Sequence, residues 1–237
     1  MAIPKIDLPI YKLYLQSSNK TINFRPFLVK EEKILLIALE SNDEHTILEA
    51  IKQAITNCVL EPIEVDDLPM FEIEHLFLNL RARSMGEIVE LAYICQNVVD
   101  EKTCAMELEL EVDLLKVDLD MKISNPIIKF TDTVGIVLKF PTMKSSLSSV
   151  INYKDISVKN IKDCTDFLFD ANQTYKVEDM QIGEFEEFID NLTQDKFNNI
   201  KDFFKNIPAI KYDGITTCNR CKKEHKIHLE GILDFFE

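Results

Sequence analysis

The spacing of apolar residues changes its period twice along the 237-residue chain. Residues 11–15 and 21–24 alternate with a period of two on either side of the turn-rich segment 16–20, which predicts a β-hairpin. Three segments with helical periodicity follow, at residues 29–39, 44–58 and 70–82. We therefore expect residues 1–86 to form a hairpin that packs with three helices.

Between residues 87 and 150 the period returns to two. Five segments alternate in this way and are predicted strands, at residues 87–94, 105–115, 121–123, 127–130 and 135–140. This pattern predicts a central antiparallel β-sheet. Glu107, Glu109 and Glu111 occupy alternate positions of one strand, and we interpret them as its solvent face rather than as a binding site.

Helical periodicity resumes in the last region, residues 151–237. One helix is predicted over residues 158–169, and a longer one over residues 184–206 with a break near Thr193. The chain then enters a cysteine-containing loop and a final alternating segment, residues 226–229. The predicted fold class is α+β, and the regions 1–86, 87–150 and 151–237 are expected to pack as one or two compact domains.

Four of the six cysteines are candidate metal ligands. Cys218 and Cys221, separated by two residues, can direct both sulfurs at one point, which is half of a zinc ribbon. Cys95 and Cys104 end two strands of a predicted hairpin, where neighbouring strand ends lie close enough to share an ion or a disulfide. We predict a structural zinc site formed by these four residues. The alternative is that the two pairs never meet and remain reduced thiols.

Histidine is a less favoured ligand in this sequence. His225 falls on the apolar face of the final alternating segment and is a weaker candidate, whereas His228 falls on the polar face and is expected to be solvated. A compact site of Cys218, Cys221, His225 and His228 is disfavoured, because the loop between the two pairs is far shorter than zinc fingers use.

Composition and charge narrow the possible functions. Hydrophobic residues make up 46% of the chain, which is enough for a globular core, and the net charge of −14 argues against a nucleic-acid backbone as the main partner. The chain has no Walker or dinucleotide motif, no long apolar run and no secretory pattern at its N-terminus. We expect a protein made in the cytoplasm with no membrane partner.

Cys58 and Cys164 lie in helical patterns and are interpreted as buried thiols.

Three sequence blocks together resemble a known family. They are residues 24–36 (Phe-Arg-Pro-Phe-Leu-Val-Lys-Glu-Glu-Lys-Ile-Leu-Leu), residues 76–87, and the stretch from Phe203 through the paired cysteines to Phe236. Their order and sequence resemble the baseplate hub proteins of T4-like contractile-tailed bacteriophages, over nearly the whole chain. The resemblance implies a non-enzymatic part or assembly factor of the central hub, with no catalytic residues and no small-molecule substrate.

The same resemblance implies where the protein acts and with what. The expected partners are other hub or tail proteins, and a second copy of this chain is a further candidate. The expected locations are the host cytoplasm during assembly and the tail baseplate of the virion. Because exposed Phe and Arg are good interface anchors, we predict six contact residues, with intramolecular packing as the alternative. These residues are Phe24, Arg25, Pro26, Phe27, Phe235 and Phe236.

Two other functions are weighed against a permanent structural role. One is a chaperone that helps the hub to form and does not stay in the virion. The other is a zinc enzyme or a nucleic-acid-binding zinc ribbon. A catalytic zinc usually has His or carboxylate ligands and a nearby general base. The four histidines of this chain form no His-x-x-x-His pair, and the acidic charge disfavours nucleic acid.

Overall fold

The computed structural model describes residues 7–121, 125–148 and 156–235. Its α-helices are α1 (Val29–Glu40), α2 (Glu44–Cys58), α3 (Met70–Met85), α4 (Met143–Ser148), α5 (Val158–Asp163), α6 (Glu184–Asp190) and α7 (Gln194–Lys205). Its strands are β1 (Tyr11–Leu15), β2 (Lys20–Phe24), β3 (Ile88–Ile94), β4 (Val98–Val99), β5 (Lys102–Thr103), β6 (Glu107–Asp113), β7 (Asp118–Asp120), β8 (Ile127–Lys129), β9 (Gly135–Leu138), β10 (Thr165–Phe169), β11 (Thr174–Lys176), β12 (Ala209–Thr217) and β13 (Glu224–Glu230). The mixture of helices with antiparallel strands confirms the α+β class.

The chain divides into two compact units that do not follow chain order. The first comprises Met1–Val65, Phe71–Asp120 and Ala209–Glu237, and the second comprises Asp66–Met70 and Met121–Pro208. The predicted regions 1–86, 87–150 and 151–237 therefore do not coincide with the units. The reason is strand pairing across long sequence separations, since β12 pairs with β7 from the middle of the chain.

The N-terminal part of the first unit matches the sequence pattern closely. Strands β1 and β2 form an antiparallel hairpin in which Tyr11 pairs with Phe24. Helices α1, α2 and α3 follow at the predicted positions. Helix α2 begins where the Asp43 carboxylate accepts a hydrogen bond from the Thr46 amide at 2.9 Å, a typical N-cap. Its apolar stripe is buried, including Ile51 and Ile55.

The predicted central β-sheet is not a single sheet. Strands β3 and β6 pair with each other in a two-stranded ladder, and β7 joins a three-stranded sheet in the order β13-β12-β7. Strands β8 and β9 belong to a four-stranded sheet in the order β11-β10-β9-β8. A period of two identifies a strand but does not identify its partner, and here two sheets take strands from the C-terminal region. Of the predicted strand 121–123, Met121 is not in a strand and the rest lies outside the described residues.

The predicted helix over residues 158–169 is correct only in its first half. Helix α5 ends at Asp163, and residues 165–169 form strand β10. In β10 the side chains of Thr165 and Leu168 are buried and Asp166 is exposed. The strand lies between β9 and β11, so its backbone groups are satisfied by pairing on both sides. Such pairing overrides a helical reading of a short apolar segment.

Phenylalanine side chains of the C-terminal helices form part of the core of the second unit. Phe185 on α6 and both Phe203 and Phe204 on α7 are buried, and they pack in one cluster with apolar residues of β9 and β10. The break predicted near Thr193 is confirmed, since α6 ends at Asp190 and α7 begins at Gln194. These rings are therefore core residues of the folded chain.

Candidate metal centre

The β3–β6 ladder positions Cys95 and Cys104 at one of its ends. Beyond the ladder the Cys95 amide donates to the Met106 carbonyl at 2.8 Å, and the Ala105 amide donates to the Cys95 carbonyl at 3.0 Å. The short β4–β5 hairpin fills the segment between the two cysteines. Ala105 has a φ of 50°, a left-handed conformation that turns the chain from Cys104 into β6. This local geometry holds both cysteines on the same side of the ladder end.

The turn between β12 and β13 positions Cys218 and Cys221. The Cys218 amide donates to the Lys223 carbonyl at 2.9 Å, and the Lys222 amide donates to the Cys218 carbonyl at 2.9 Å. Lys222 has a φ of 60°, so here too a left-handed residue directly follows the second cysteine. The Cys221 amide lies 3.5 Å from the Cys218 sulfur. The turn thus brings the two sulfurs together and leaves an amide directed at one of them.

The two pairs meet in the folded chain. The sulfurs of Cys95, Cys104, Cys218 and Cys221 all lie within 4.8 Å of one another. Two close contacts join one pair to the other, with Cys95 Sγ 3.6 Å from Cys221 Sγ and Cys104 Sγ 3.7 Å from Cys218 Sγ. All four are free thiols. The structure therefore brings together the four residues that the sequence predicted as one set.

The sulfur positions fit a tetrahedral metal ion. Four sulfurs at the usual Zn–S distance of about 2.3 Å are about 3.8 Å apart, close to the 3.6 Å between Cys95 and Cys221 and the 3.7 Å between Cys104 and Cys218. Cys95, Cys104 and Cys218 are buried and Cys221 is half-buried, and the cluster packs against Leu108 and Tyr93. Four thiolates in a site largely closed to water form the donor set of a structural zinc centre.

A histidine lies beside the four cysteines. The Nε2 atom of His225, on β13, is 3.2 Å from Cys95 Sγ. The sequence pattern predicts the place of His225 on the apolar face of β13. The pattern does not predict its contact with a cysteine 130 residues away. An imidazole N–H at this distance can donate a hydrogen bond to a thiolate. His228 is exposed and contacts Asp213 instead, with 2.8 Å between Nδ1 and Oδ1.

The thiols of the cluster differ in acidity. Burial raises the pKa of Cys95 to about 12 and also raises the pKa of Cys104. A hydrogen bond from the Lys223 backbone amide lowers the pKa of Cys221 to about 6. Cys221 is therefore more acidic than Cys95 and Cys104, and a metal ion would displace protons from those two thiols as it binds.

The remaining two cysteines behave as buried hydrophobes, as predicted. Burial raises the pKa of Cys58 to about 11 and that of Cys164 to about 12. Neither belongs to the cluster of four. Because thiolates rather than thiols are nucleophiles and ligands, both side chains are chemically inert at neutral pH.

Other contacts join the two cysteine-bearing segments. The Arg220 guanidinium donates to the Cys104 carbonyl, with 3.1 Å between Nη1 and O. The Thr216 hydroxyl lies 3.3 Å from the Glu109 carbonyl oxygen. Strand β12 approaches the ladder so closely that a methyl group on Gly214 would lie 3.1 Å from the Leu110 side chain. The cluster therefore lies where β12 packs directly on the β3–β6 ladder.

Comparison with known proteins identifies the family. A family model described as T4 bacteriophage base plate protein matches residues 8–237. The chain belongs to this family. The chain is similar to "Baseplate hub assembly protein gp26" of Enterobacteria phage T4, with 26% identity over 228 residues that cover 96% of this chain and 98% of that protein. No solved structure matches the chain. The resemblance seen in the three sequence blocks is thus confirmed.

This base plate protein uses several of its predicted contact residues internally. Phe24 and Phe235 are buried, because their rings fill core positions of the first unit. The expectation that these two rings are exposed is therefore wrong. The ring of Phe27 packs on that of Phe77 with 5.6 Å between centroids, and the Pro26 carbonyl accepts a hydrogen bond from Arg25.

For Arg25, Pro26 and Phe27, which remain partly accessible, contact with a partner stays a prediction. Phe236 lies outside the described residues. Among the helices that the structure describes, none is long and apolar enough to cross a membrane.

Proposed function

We propose that this chain is a non-enzymatic component of the central baseplate hub that acts in hub assembly through protein–protein contacts. The family match over residues 8–237 supports a base plate role, and the similarity to the T4 hub assembly protein supports the hub and its assembly. The proposed sites of action are the host cytoplasm during assembly and the tail baseplate. The partners are other hub and tail proteins.

We further propose that Cys95, Cys104, Cys218 and Cys221 bind one structural zinc ion. The observation that carries this proposal is the convergence of four sulfurs within 4.8 Å from two segments more than a hundred residues apart. Four thiolate ligands leave no open coordination position, so the ion would stabilise the fold rather than activate a substrate. It would join the β3–β6 ladder to the β12–β13 hairpin, forming the zinc-ribbon-like knuckle.

Metal stoichiometry in matched variants tests the zinc site. We expect about one zinc per chain in the wild-type protein, as structural sites of this type bind a single ion. Cys95→Ser and Cys218→Ser should each lose the ion and unfold at a lower temperature. Cys58→Ser is the matched control, because Cys58 is buried but lies outside the cluster. Absence of metal from the wild type, or retention of zinc by Cys95→Ser, would contradict the joined site.

The assembly role has its own test. A phage with a stop codon in this gene should produce incomplete baseplates, and wild-type protein supplied in trans should restore them. Normal baseplates without the protein would exclude the role. The protein that assembles the hub can be either a permanent subunit or a transient chaperone. Immunoblotting of purified virions separates the two forms of the proposal, since a permanent subunit is retained and a chaperone is absent.

A further inference from the structure

An apolar cavity of about 200 Å³ opens between helices α1, α2 and α3 in the first unit. Its walls are almost wholly apolar, and Leu36, Leu39, Phe77 and Met85 are among the lining residues. The volume is below the ~300–1,000 Å³ typical of pockets for small-molecule ligands. A cavity of this size and lining fits one or two large side chains from another protein better than it fits a cofactor.

Helix α1 leaves several of its large apolar side chains exposed. Its sequence is rich in Ile and Leu, yet the residues that it buries are Glu31 and Ala38. Leu36 is 50% exposed and Ile37 is 68% exposed, and Met85 on the opposite wall of the cavity is 54% exposed. A surface helix normally buries its apolar stripe, and large exposed apolar side chains around a cavity mark a binding surface.

The cavity lining itself carries one carboxylate, Glu32, and one guanidinium, Arg81, so the kind of partner is indicated by the exposed charges of the α1–α2 turn beside it. Between Lys33 and Lys52 the chain contains no Lys or Arg, while it carries four carboxylates. These are Glu40, Asp43, Glu44 and Glu49, and all four are exposed. A second copy of the chain would bring another net charge of −14 to this surface. Electrostatic complementarity therefore favours a different, basic partner.

We infer that the groove formed by α1, α2 and α3 docks an amphipathic, basic α-helix of another protein. Apolar residues at helical spacing would fill the cavity beside Leu36, and flanking Lys or Arg residues would pair with the carboxylates of the α1–α2 turn. The assignment of this contact to hub assembly rests on the proposed function, whereas the binding itself does not.

A synthetic helix tests the inference directly. The probe is a fluorescein-labelled peptide with Leu at positions i, i+3, i+4 and i+7 and Lys elsewhere, and the control peptide has Glu in place of Lys. Anisotropy titration should show binding of the Lys peptide that weakens at high salt, because the rim contacts are screened. The Glu peptide should bind at least about tenfold more weakly, since like charges oppose docking.

Protein variants locate the binding surface. Leu36→Glu should weaken binding of the Lys peptide by about tenfold or more, as expected for a central anchor contact. Ile182→Glu is the matched control, because Ile182 is fully exposed in the second unit, and it should bind as the wild type does. Circular dichroism and zinc content verify folding. If Leu36→Glu misfolds, Met85→Glu tests the opposite wall.

Three outcomes would overturn the inference. The first is that the wild-type protein binds both peptides with equal affinity. The second is that Leu36→Glu and Ile182→Glu lose equal amounts of affinity for the Lys peptide. The third is that the wild-type protein sediments as a dimer and that Leu36→Glu dissociates this dimer. The last result would assign the groove to a second copy. If baseplates form normally without the protein while peptide binding still depends on Leu36, the assembly role fails and the groove assignment stands.

Discussion

Arg25 and Glu31 form an ion pair at the base of the first helix, with 3.0 Å between Nη2 and Oε1. The Glu31 side chain is fully buried, and its second oxygen accepts a hydrogen bond from the Leu28 amide at 2.8 Å. Arg25 also donates to the Asn57 carbonyl at the end of α2. Burial raises the pKa of Glu31, but the hydrogen bonds from Arg25 and Leu28 outweigh burial and lower it overall. This pair connects β2, α1 and α2.

Removing Arg25 should therefore destabilise the first unit. Arg25→Met leaves the buried Glu31 carboxylate without its main partner, and we expect a loss of about 2–4 kcal/mol in the free energy of unfolding. Lys30→Met is the control, since Lys30 lies 3.4 Å from the same carboxylate but its side chain is 66% exposed, and it should cost about 0–1 kcal/mol. Urea denaturation measures both. Equal losses in the free energy of unfolding would mean that Arg25 stabilises the Glu31 carboxylate no more than Lys30 does.

His225 should tune the metal centre without being a ligand. Its Nε2 lies beside Cys95 Sγ, so His225→Ala removes an N–H donor to that thiolate, and we expect zinc affinity to fall by about tenfold or more. Competition with a chromophoric chelator measures the affinity, and His228→Ala is the control. The cobalt-substituted wild-type protein should show a tetrahedral four-thiolate spectrum. A three-thiolate, one-nitrogen spectrum that His225→Ala abolishes would make His225 a ligand.

Glu74 should make stability depend on pH. Burial raises its pKa to about 7, and the nearby carboxylates of Glu230 and Asp234 act in the same direction, partly offset by the Ile232 amide. Between its ordinary pKa of 4.5 and about 7, the folded chain binds more protons than the unfolded chain. Stability attributable to Glu74 is therefore present below the lower value and is lost as pH rises through the upper one.

Glu74→Gln tests this dependence. The variant should be more stable than the wild type by about 1–3 kcal/mol at a pH well above 7, and the difference should shrink as pH falls toward 5. Urea denaturation across this range gives the difference, in which effects common to both proteins cancel. Glu109→Gln, on the exposed face of β6, should show no such trend. A difference that does not vary with pH would exclude Glu74 as the source.

Gly135 should not tolerate a side chain. A Cβ at this position would lie 2.5 Å from both the Ile128 carbonyl oxygen and the Phe169 ring, because β9 is paired on both sides. A backbone oxygen cannot move aside easily, so Gly135→Ala should cost about 1–3 kcal/mol. Gly214→Ala is the comparison, since its nearest neighbours are the side chains of Tyr212 and Leu110, which can rotate. Thermal unfolding of both variants checks the order.

Local chemistry was enough to predict much of the fold. The β1–β2 hairpin, helices α1 to α3 and the break between α6 and α7 follow from periodicity and turn residues within short segments. The prediction failed at residues 165–169, where pairing with β9 and β11 imposes a strand. It also failed for the central sheet, whose strands take partners from distant parts of the chain.

The sequence by itself determined the pieces of the candidate site, and the tertiary structure decided how they meet. Cys218 and Cys221 approach each other through a tight turn, and Cys95 and Cys104 through a strand end, because both arrangements are local. Their convergence spans 114 and 126 residues, and with it come the His225 contact and the burial of Phe24 and Phe235. Such contacts depend on how whole elements pack, and no local pattern of residues encodes that packing.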